Sequence, residues 1–385
     1  MRILHVIPSM NLADGGPINW TICVSRELAK LGHVSEVATI DDPAAPWVAS
    51  SDVVVHALGP GNKLGISRKV GPWIAQNHRG YDFVVLHTIF EHCCYAAWRE
   101  MRRDKNRLVT FVHGFLDPYF NRAYPLKKIK KYLFWPWAIY PQLRDAAVTL
   151  FTTEEERILA RQSFRPYRCN ERVIAYGITK PQYDREKVLQ AFHSAVPEVE
   201  GRPFLLYLSR IHPKKGVDLL IQAFAKVYAD CPEYKLVIAG PDQVGIVAGL
   251  KELAQSHGVA DRIIWPGMLN GDVKWGAFEA CQAFTLPSHQ ENFGQVVAEA
   301  MSCSKPVLIS NKVNIYQEVA SSGGGIVEND DLEGTNKAFS RFKALSEPEV
   351  AAMGRAALSC FHEKFELEQS AKDFIRVLEE AAKSR

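Results

Sequence analysis

Short apolar runs alternate with helical patterns along the whole chain. In the first half the runs are RILHVIP, SEVATI, DVVVHAL, FVVLHTI, RLVTFVHG and AAVTLFTT, and a helix is predicted from about Pro17 to Leu31. Apolar runs that are bounded by turn residues and separated by helices indicate parallel β-strands with crossover helices. The pattern therefore predicts an α/β sheet in the first half of the chain.

The same alternation restarts after Pro203, with FLLYLSR, KLVIAG, RIIWPGM, AFTLPS and KPVLISN. Two α/β units in tandem are favoured over one sheet of about a dozen strands, because a chain of 385 residues is too long for one ordinary core. Between them, YGITKPQYD suits a linker. We predict an N-terminal domain over 1–172, a linker over 173–201, a C-terminal domain over 202–362 and an amphipathic helix over about 363–385.

The composition is that of a soluble globular protein, with 47% hydrophobic and 23% charged residues. A formal net charge of +3 gives no reason to expect a nucleic acid partner. The eight cysteines include no C-x-x-C pair and fit buried thiols in a reducing compartment. The first residues lack the pattern of a signal peptide, and no stretch approaches the ~18 apolar residues that span a bilayer. We therefore expect a cytoplasmic protein.

The stretch PSMNLADGGPINW places Gly15 and Gly16 between the first strand and a proline suited to the first position of a helix. Glycines at such a turn let backbone N–H groups approach a ligand, and a helix start favours an anion. A plain strand-to-helix turn is the alternative. The turn carries no G-x-G-x-x-G, which counts against a dinucleotide site.

Cations and a histidine follow other predicted strands. In LSRIHPKKGVDLLIQAF, Arg210 ends a strand and Lys215 precedes a glycine and a helix, at the sheet edge where open α/β folds bind ligands such as phosphates. In VTFVHGFLDP, His113 could donate a hydrogen bond to a sugar hydroxyl or a backbone carbonyl, or could titrate. The alternatives are solvated loop charges and a core histidine bonded to backbone, and His87 is a weaker case of the same pattern.

Two glutamates lie eight residues apart in SHQENFGQVVAEAMSCSKPVLIS. Gly294 and Gln295 mark a helix start, which puts Glu299 on the helix and Glu291 in the preceding loop. Helical rise separates such positions by ~12 Å, about the span from the sugar to the ribose of a sugar nucleotide. Each carboxylate can accept from two hydroxyls, and the N–H groups of Phe293 and Gly294 at the helix start suit a diphosphate.

The stretch ENFGQVVAE resembles the E-x7-E signature of the retaining glycosyltransferases of family 4. SRIHPKKGVD is similar to that family's G-R-x-x-x-x-K-G element, with Ser209 where glycine is common. DGGP, FVHG and SSGGGIVENDD resemble its first glycine loop, its histidine loop and its last glycine turn. The linker IAYGIT departs from the more usual Pro-Asn-Gly-Ile-Asp form at Tyr176 and Thr179.

The resemblance implies an α/β GT-B architecture. It consists of two Rossmann-like domains that face each other across a cleft, with the C-terminal helix crossing back to the N-terminal domain. The expected donor is a nucleotide sugar, with a UDP-hexose such as UDP-glucose favoured and GDP-mannose open. The expected acceptor is a saccharide or a lipid-linked saccharide. No cofactor or metal is expected, and the chain contains no D-x-D triplet.

The resemblance also assigns roles to residues. Arg210 and Lys215 would neutralise the departing diphosphate, Glu291 would bind hydroxyls of the donor sugar and Glu299 those of the ribose. His113 would contact the sugar near its 6-position through its side chain or its backbone. No carboxylate is assigned as nucleophile, since the family favours front-face attack with the leaving phosphate helping to deprotonate the acceptor. The full set of expected donor-binding residues is Gly15, Gly16, Arg210, Lys215, Met268, Glu291, Asn292, Phe293, Gly294, Val296 and Glu299.

Three other functions compete with glycosyl transfer. A sugar-nucleotide 2-epimerase of the same fold would need extra acid and base groups around the sugar. A non-catalytic sugar-nucleotide binding protein would show no turnover. A hydrolase with paired carboxylates is disfavoured, because a separation of ~12 Å exceeds the spacing used in glycosidases.

One basic stretch, YPLKKIKKYLFWPW, suggests a peripheral membrane contact. Lysines interleaved with aromatic and aliphatic residues from Lys127 to Trp135 suit an anionic membrane face that carries a lipid-linked acceptor. The alternative is an amphipathic helix docked on its own domain with its lysines in water.

Overall fold

The computed structural model of the chain describes residues 1–62, 65–123 and 125–383, apart from the side chains of Asp14 and Lys127. It divides into two compact units. Unit 1 comprises Met1–Thr179 and Glu366–Arg385, and unit 2 comprises Lys180–Phe365. The division after Thr179 falls inside the segment 173–201 that the sequence suggests as a linker.

Within the described residues, unit 1 contains a seven-stranded parallel sheet. Its strands are β1 (Arg2–Val6), β2 (Val34–Thr39), β3 (Val54–Ala57), β4 (Phe83–His87), β5 (Leu108–Phe111), β6 (Val148–Phe151) and β7 (Glu171–Val173), in the order β3-β2-β1-β4-β5-β6-β7. The first six strands coincide with the six apolar runs. Strand β7 was not predicted, because this short edge strand carries no buried residue and hence no apolar pattern.

Helices connect these strands. The first, α1 (Gly16–Lys30), confirms the helix predicted from about Pro17 to Leu31, and its buried face includes Ile18, Trp20, Val24 and Leu28. The others are α2 (Pro46–Ala49), α3 (Val70–Asn77), α4 (His92–Glu100), α5 (Pro118–Ala123), α6 (Pro125–Phe134), α7 (Tyr140–Asp145) and α8 (Glu154–Ala160). Their apolar faces cover the buried strands, which leaves the loops after the strands to carry polar groups.

Unit 2 is built on a second parallel sheet, which has six strands in the described residues. These are β8 (Phe204–Leu208), β9 (Lys235–Ala239), β10 (Ile263–Gly267), β11 (Ala283–Leu286), β12 (Val307–Ser310) and β13 (Gly325–Glu328), in the order β10-β9-β8-β11-β12-β13. Five strands follow the predicted runs. The sixth, β13, lies in the stretch interpreted as a glycine turn. Only Ile326 of that strand is fully buried, so its pattern was too weak to indicate a strand.

The helices of unit 2 are α9 (Arg185–Ala195), α10 (Val217–Val227), α11 (Val247–Ser256), α12 (Gly271–Ala280), α13 (Gln295–Ser302), α14 (Tyr316–Ser322), α15 (Leu332–Lys343) and α16 (Glu347–Cys360). Helix α9 occupies part of the segment 173–201 and packs closely on α12. A Cβ atom on Gly276 would lie only 2.0 Å from the carbonyl oxygen of Val188. Part of that segment is therefore an integral helix of unit 2.

The last helix, α17 (Leu367–Lys383), belongs to unit 1. It packs against α1, where the rings of Phe374 and Trp20 meet edge to face with centroids 5.7 Å apart. The Ser370 hydroxyl donates to the carbonyl of Ala175 at 2.6 Å, which ties the helix to the end of the N-terminal segment. Two parallel α/β sheets with a final helix confirm the predicted fold class. Among the described residues, no helix combines the length and the apolar character needed to cross a bilayer.

Candidate functional site

A buried lysine and a glutamate form an ion pair at the edge of the sheet of unit 2. Lys215 ends a short 3₁₀ turn after β8, and Glu291 lies in the loop between β11 and α13. The Lys215 Nζ contacts the Glu291 Oε2, and both side chains are largely shielded from solvent. Gly216 lets the two loops approach each other, since it has a φ of +68° and a Cβ atom there would lie 2.5 Å from the carbonyl oxygen of Pro287.

The electrostatics of Lys215 depend on its burial. Burial first, and then the charges of Lys214 and Arg210, lower the pKa of Lys215 to about 7. The carboxylate of Glu291 acts in the opposite direction, because it favours the charged amine. Arg210 is exposed and has no ion-pair partner among the described residues. Both cations are therefore placed where an added anion would be stabilised.

The start of α13 has no side-chain cap. Gly294 is the N-cap with a φ of +77°, no side chain caps the helix and no acidic residue lies in its first turn. The first N–H groups of such a helix lack intrahelical partners and carry partial positive charge, which suits an anion. The ring of Phe293 is buried and contacts Phe365 edge to face, so this residue offers its backbone rather than its side chain.

The structure confirms the predicted local placement of both glutamates, because Glu291 lies in the loop and Glu299 lies inside α13. The Oε1 atom of Glu299 pairs with the Nζ of Lys274 on α12 at 2.7 Å. Sequence reasoning missed Lys274, because nothing in GDVKWGAFEA distinguishes it from a solvated helix lysine. Of the other expected donor contacts, Met268 is 61% exposed beyond β10, while Asn292 and Val296 are half-buried around the start of α13.

In unit 1, Gly15 and Gly16 form the predicted turn between β1 and α1. Gly15 has a φ of +119°, and a Cβ atom there would meet nothing within 4 Å, so backbone conformation rather than space favours glycine. The carboxylate of Asp41 supports the preceding loop by accepting from the N–H of Met10 at 2.7 Å. Asp41 thus supports the loop before the turn, and Gly15 is exposed to solvent.

His113 follows β5 in a left-handed conformation, with a φ of +56°, and Gly114 after it has a φ of +82°. Both nitrogens of its buried ring are engaged. The Nε2 atom is hydrogen-bonded to the Nδ1 of His87 at 2.7 Å, and the Nδ1 atom is hydrogen-bonded to the hydroxyl of Tyr176. The expected backbone partner for a core histidine is therefore replaced by two side chains. The imidazole cannot contact a sugar without losing one of these bonds.

His87, which we considered a weaker candidate than His113, lies in the middle of a cluster of three hydrogen-bonded histidines. Its Nε2 atom is hydrogen-bonded to the Nδ1 of His5 at 2.9 Å. Burial lowers the pKa of His5 and of His113 to about 3 and the pKa of His87 well below its usual value. The three imidazoles are therefore neutral at neutral pH. The signal that could have found them is one histidine near the end of each of three neighbouring strands, β1, β4 and β5.

The basic stretch of unit 1 differs from its prediction at one end. Leu126, Ile129 and Leu133 of α6 are exposed by 81%, 59% and 67%. Trp135, which we expected at the same surface, is buried and donates its Nε1–H to the carbonyl of Pro166 at 2.8 Å. That part of the prediction is wrong, because Trp135, the first residue of a π-helical turn over Trp135–Ile139, faces inward and stacks on Phe164 with centroids 4.6 Å apart. Trp137, which is 53% exposed, lies within this π-helical turn.

No metal site accompanies these groups in the described part of the chain. Within residues 1–62, 65–123 and 125–383, no three His, Cys, Asp or Glu side chains are grouped so as to hold a metal ion. Unit 2 thus brings together Arg210, Lys215, Glu291 and the start of α13, with Glu299 farther along the same helix. In unit 1, the glycine turn and the His113 loop lie at the edge of that unit's own sheet.

Comparison with known families gives matches in both units. Residues 190–357 match the model described as glycosyl transferases group 1, and residues 21–177 match the model described as glycosyl transferase 4-like domain. The first match covers the Lys215–Glu291 pair and α13. The second covers His113 and Tyr176.

Curated relatives are glycosyltransferases. An uncharacterized glycosyltransferase of Methanocaldococcus jannaschii is 25% identical over 189 residues, which are 48% of this chain and 44% of that protein. The D-inositol 3-phosphate glycosyltransferase of Geodermatophilus obscurus is 30% identical over 352 residues, which are 82% of this chain and 74% of that protein. For the first of these relatives, and for a similar enzyme of Streptosporangium roseum, the match spans less than half of the relative's length.

Solved structures share the fold along the full chain. HepE of Anabaena in complex with UDP and glucose has a TM-score of 0.75 at 17% identity, over 99% of this chain and 100% of that chain. Sucrose-phosphate synthase of Thermosynechococcus elongatus has a TM-score of 0.75 at 19% identity, over 100% of both chains. At these identities the likeness concerns the fold alone.

Proposed function

The chain belongs to the group 1 glycosyltransferases of family 4, with a GT-B fold, and from that premise we propose that its donor is a nucleotide sugar and assign roles to its residues. The donor is a UDP-hexose, with UDP-glucose preferred and GDP-mannose as the alternative. The acceptor is a saccharide or a lipid-linked saccharide, and the anomeric configuration is retained. The complex of HepE with UDP and glucose supports this choice of donor by analogy of fold.

The observation that carries the proposal is the buried Lys215–Glu291 pair beside the uncapped start of α13. A diphosphate needs several positive groups in one place, and a hexose needs an acceptor of hydroxyl hydrogen bonds next to it. The pair and the helix start supply both within one loop cluster. Arg210 adds an exposed cation for the same anion.

In this mechanism the positive groups stabilise charge that develops on the leaving group. Lys215 and Arg210 neutralise the departing diphosphate, together with the N–H groups of Phe293 and Gly294, and such preorganised electrostatic stabilisation usually contributes most to the lowering of the barrier. Glu291 favours the charged form of Lys215 and accepts from hydroxyls of the donor sugar. No carboxylate attacks the sugar. The acceptor approaches from the face of the leaving phosphate, which takes up its proton.

The remaining contacts orient the donor. Glu299 accepts from the ribose hydroxyls through the carboxylate oxygen that Lys274 leaves available, and Met268, Asn292 and Val296 line the nucleotide. Gly15 and Gly16 present backbone N–H groups to the donor phosphates. His113 contacts the transferred sugar through its backbone, because both of its ring nitrogens are engaged.

A binding screen followed by product analysis tests the donor. Thermal unfolding with UDP-, GDP- and ADP-sugars should give the largest shift with a UDP-hexose, because a ligand that binds only the folded state raises its stability. Transfer requires free UDP together with an elongated acceptor. A UDP-hexose recovered as its epimer would favour the 2-epimerase instead, and binding without turnover would favour the non-catalytic alternative.

Catalysis without a metal is a separate part of the proposal. Lys215, Arg210 and the start of α13 take the charge-neutralising role that a divalent cation has in other transferases. The rate of transfer should therefore be the same in EDTA as in Mg²⁺. A loss of activity in EDTA that Mg²⁺ or Mn²⁺ restores would contradict this part alone.

The lipid-linked acceptor brings the protein to the cytoplasmic face of a membrane. The membrane face consists of the exposed side chains Leu126, Ile129, Leu133 and Trp137 with the neighbouring cations Lys128 and Lys130. Exposed apolar residues beside lysines suit a surface of anionic lipids, since each basic group near it contributes ~1 kcal/mol.

Vesicle sedimentation tests the membrane face. At low salt the protein should pellet with vesicles containing phosphatidylserine but not with pure phosphatidylcholine, and the variant Lys128→Glu/Lys130→Glu should stay in the supernatant. The matched control Lys226→Glu/Lys251→Glu changes the net charge equally at exposed positions of unit 2 and should still pellet. Equal loss in both variants would mean that only net charge matters, and no pelleting of the wild type would end the proposal.

A further inference from the structure

A continuous row of hydrogen-bonded rings crosses the sheet of unit 1. His5 on β1 bonds to His87 on β4, His87 bonds to His113 after β5, and His113 bonds to the hydroxyl of Tyr176. All four side chains are buried. We refer to these four residues as the histidine row.

Neutral imidazoles in such a row must share one tautomer. A neutral ring donates through one nitrogen and accepts through the other. If the Tyr176 hydroxyl donates to His113, every ring carries its hydrogen on Nε2. If His5 donates instead, every ring carries it on Nδ1. A change at His5 can therefore alter the tautomer of His113 through His87, and a change at Tyr176 alters it directly.

Tyr176 connects the row to two functional segments. It lies near the end of the N-terminal segment of unit 1, at a position where the sequence departs from the more usual linker motif. Its ring stacks on Trp20, with centroids 6.0 Å apart and an angle of 25°. Trp20 belongs to α1, the helix that begins at the Gly15–Gly16 turn. The row thus joins the His113 loop, the glycine-turn helix and the end of the N-terminal segment.

His113 needs such support because its backbone is strained. A φ of +56° is uncommon for a residue other than glycine, because the Cβ atom crowds the following carbonyl oxygen. The ring is bonded on both sides and stacks on Phe111, with centroids 4.0 Å apart. These contacts hold the ring, and the ring fixes the direction of the peptide groups around it.

We propose that Tyr176 is a positioning residue for glycosyl transfer, whose hydroxyl holds the His113 ring so that the backbone of His113 meets the transferred sugar. This inference rests on the proposed function. Tyr176 acts through His113 and does not contact the substrate. The histidine in this loop therefore serves as a support for its own main chain rather than as an acid or a base.

The test compares Tyr176→Phe with Tyr81→Phe. Each change removes one hydroxyl from a buried tyrosine of unit 1, and the Tyr81 hydroxyl donates to Glu36 at 2.7 Å, outside the histidine row. Losing a neutral hydrogen bond that acts in the transition state should lower kcat about three- to tenfold in Tyr176→Phe. Its donor KM should change less than its kcat. In Tyr81→Phe, kcat should equal the wild-type value even where the melting temperature falls.

Nitrogen-15 NMR of the histidine rings provides a readout that does not depend on activity. In the wild type the three rings should be neutral and show the same tautomer, and Tyr176→Phe should shift the Nδ1 signal of His113 most. Mixed tautomers in the wild type, or a wild-type kcat in Tyr176→Phe, would overturn the inference. An equal kcat loss in Tyr81→Phe would also overturn it, by showing a general effect of destabilisation.

The two proposals fail in different ways. A wild-type protein that transfers sugar while Tyr176→Phe does so equally well contradicts only the positioning role. A wild-type protein that transfers no sugar from any donor contradicts the proposed function and with it the catalytic role of Tyr176, whereas the shared tautomer would still be decided by the ring signals.

Discussion

At the scale of single residues, the two glutamates around the start of α13 have different surroundings and should have different roles. Glu291 pairs with a buried lysine, whereas Glu299 pairs with the more accessible Lys274. Glu291→Ala should mainly lower kcat, because it removes contacts to the reacting sugar. Glu299→Ala should mainly raise the donor KM, because ribose contacts are the same in the ground state and the transition state. Steady-state kinetics on both variants measure this.

Melting curves supply the control for that comparison. If Glu299 is only a structural partner of Lys274, Glu299→Ala should melt earlier while its folded fraction keeps the wild-type donor KM. A well-folded Glu299→Ala enzyme with normal kinetics, together with an unaffected Glu291→Ala, would show that the family signature has misled the assignment of roles.

Lys215 should couple donor binding to pH. With a pKa lowered to about 7, it is mostly neutral in the free enzyme at pH 8, and a bound diphosphate favours its charged form. Donor binding at pH 8 should therefore take up protons, and affinity should fall as the pH rises above 7. Calorimetry in buffers of different ionisation enthalpy measures the uptake.

Two results would decide the role of Lys215 in this uptake. Lys215→Met should abolish the uptake, whereas Lys226→Met, at an exposed position of unit 2, should keep it. Uptake that persists without Lys215 would assign the proton to another group. The effect of pH on stability has the opposite sign to that of a lysine whose partner raises its pKa, because the pKa of Lys215 is lowered. The unfolded chain binds more protons between about pH 7 and the ordinary lysine pKa, so Lys215 makes stability rise with pH there.

The residues that the sequence could indicate are those whose signal lies within one short segment. Glu291, Gly294 and Glu299 share one stretch of chain, and Lys215 precedes its glycine directly. Lys274 and Tyr176 could not be found in this way, because their partners are distant in sequence and are brought close only by folding. For the same reason the sequence could not show that both nitrogens of His113 are engaged.

At the scale of elements, the start of α13 should be sensitive to one added methyl group. Gly294→Ala would place an L-residue at a φ of +77° and bring its Cβ atom to 3.0 Å from Val313. It should destabilise the protein by about 1–2 kcal/mol and raise the donor KM, because the helix start must move. Unfolding curves and donor kinetics measure the two effects separately.

Gly323→Ala is the matched control for that variant. Gly323 caps the end of α14 at a φ of +70°, and a Cβ atom there would meet nothing within 4 Å. This variant should lose comparable stability and keep the wild-type donor KM. An equal rise of the donor KM in both variants would mean that strain alone, and not the position of the α13 start, weakens donor binding.

Strands were predicted well wherever both faces of the sheet are covered. Eleven runs became strands β1 to β6 and β8 to β12. Nine of them are mainly buried and hence rich in apolar residues, and the edge strands β3 and β10, which are only partly buried, still have apolar runs. The missed strands, β7 and β13, are edge strands with few buried side chains. Helix α9 was missed as well, because the proline and the glycine just before it dominated the interpretation of that segment.

At the scale of the whole molecule, the fold and the family follow from the structure and the comparisons, whereas the substrates are proposed. Two parallel sheets and matches in both units identify the chain as a member of the group 1 glycosyltransferases of family 4, whereas its nucleotide-sugar donor is part of our proposal. The base, the sugar and the acceptor depend on a few contacts that vary within one fold. A family resemblance therefore predicts the class of reaction. The donor and the acceptor depend on the groups around Lys215, Glu291 and Glu299 and must be measured.

The most direct test of the account is to identify the products of the purified protein with a UDP-hexose and a saccharide acceptor. The account predicts free UDP and an elongated acceptor in equal amounts, with the new glycosidic bond in the anomeric configuration of the donor, as read by proton NMR. Lys215→Met should form neither product at a measurable rate. A bond of inverted configuration, or turnover of the donor without transfer to any acceptor, would contradict the account.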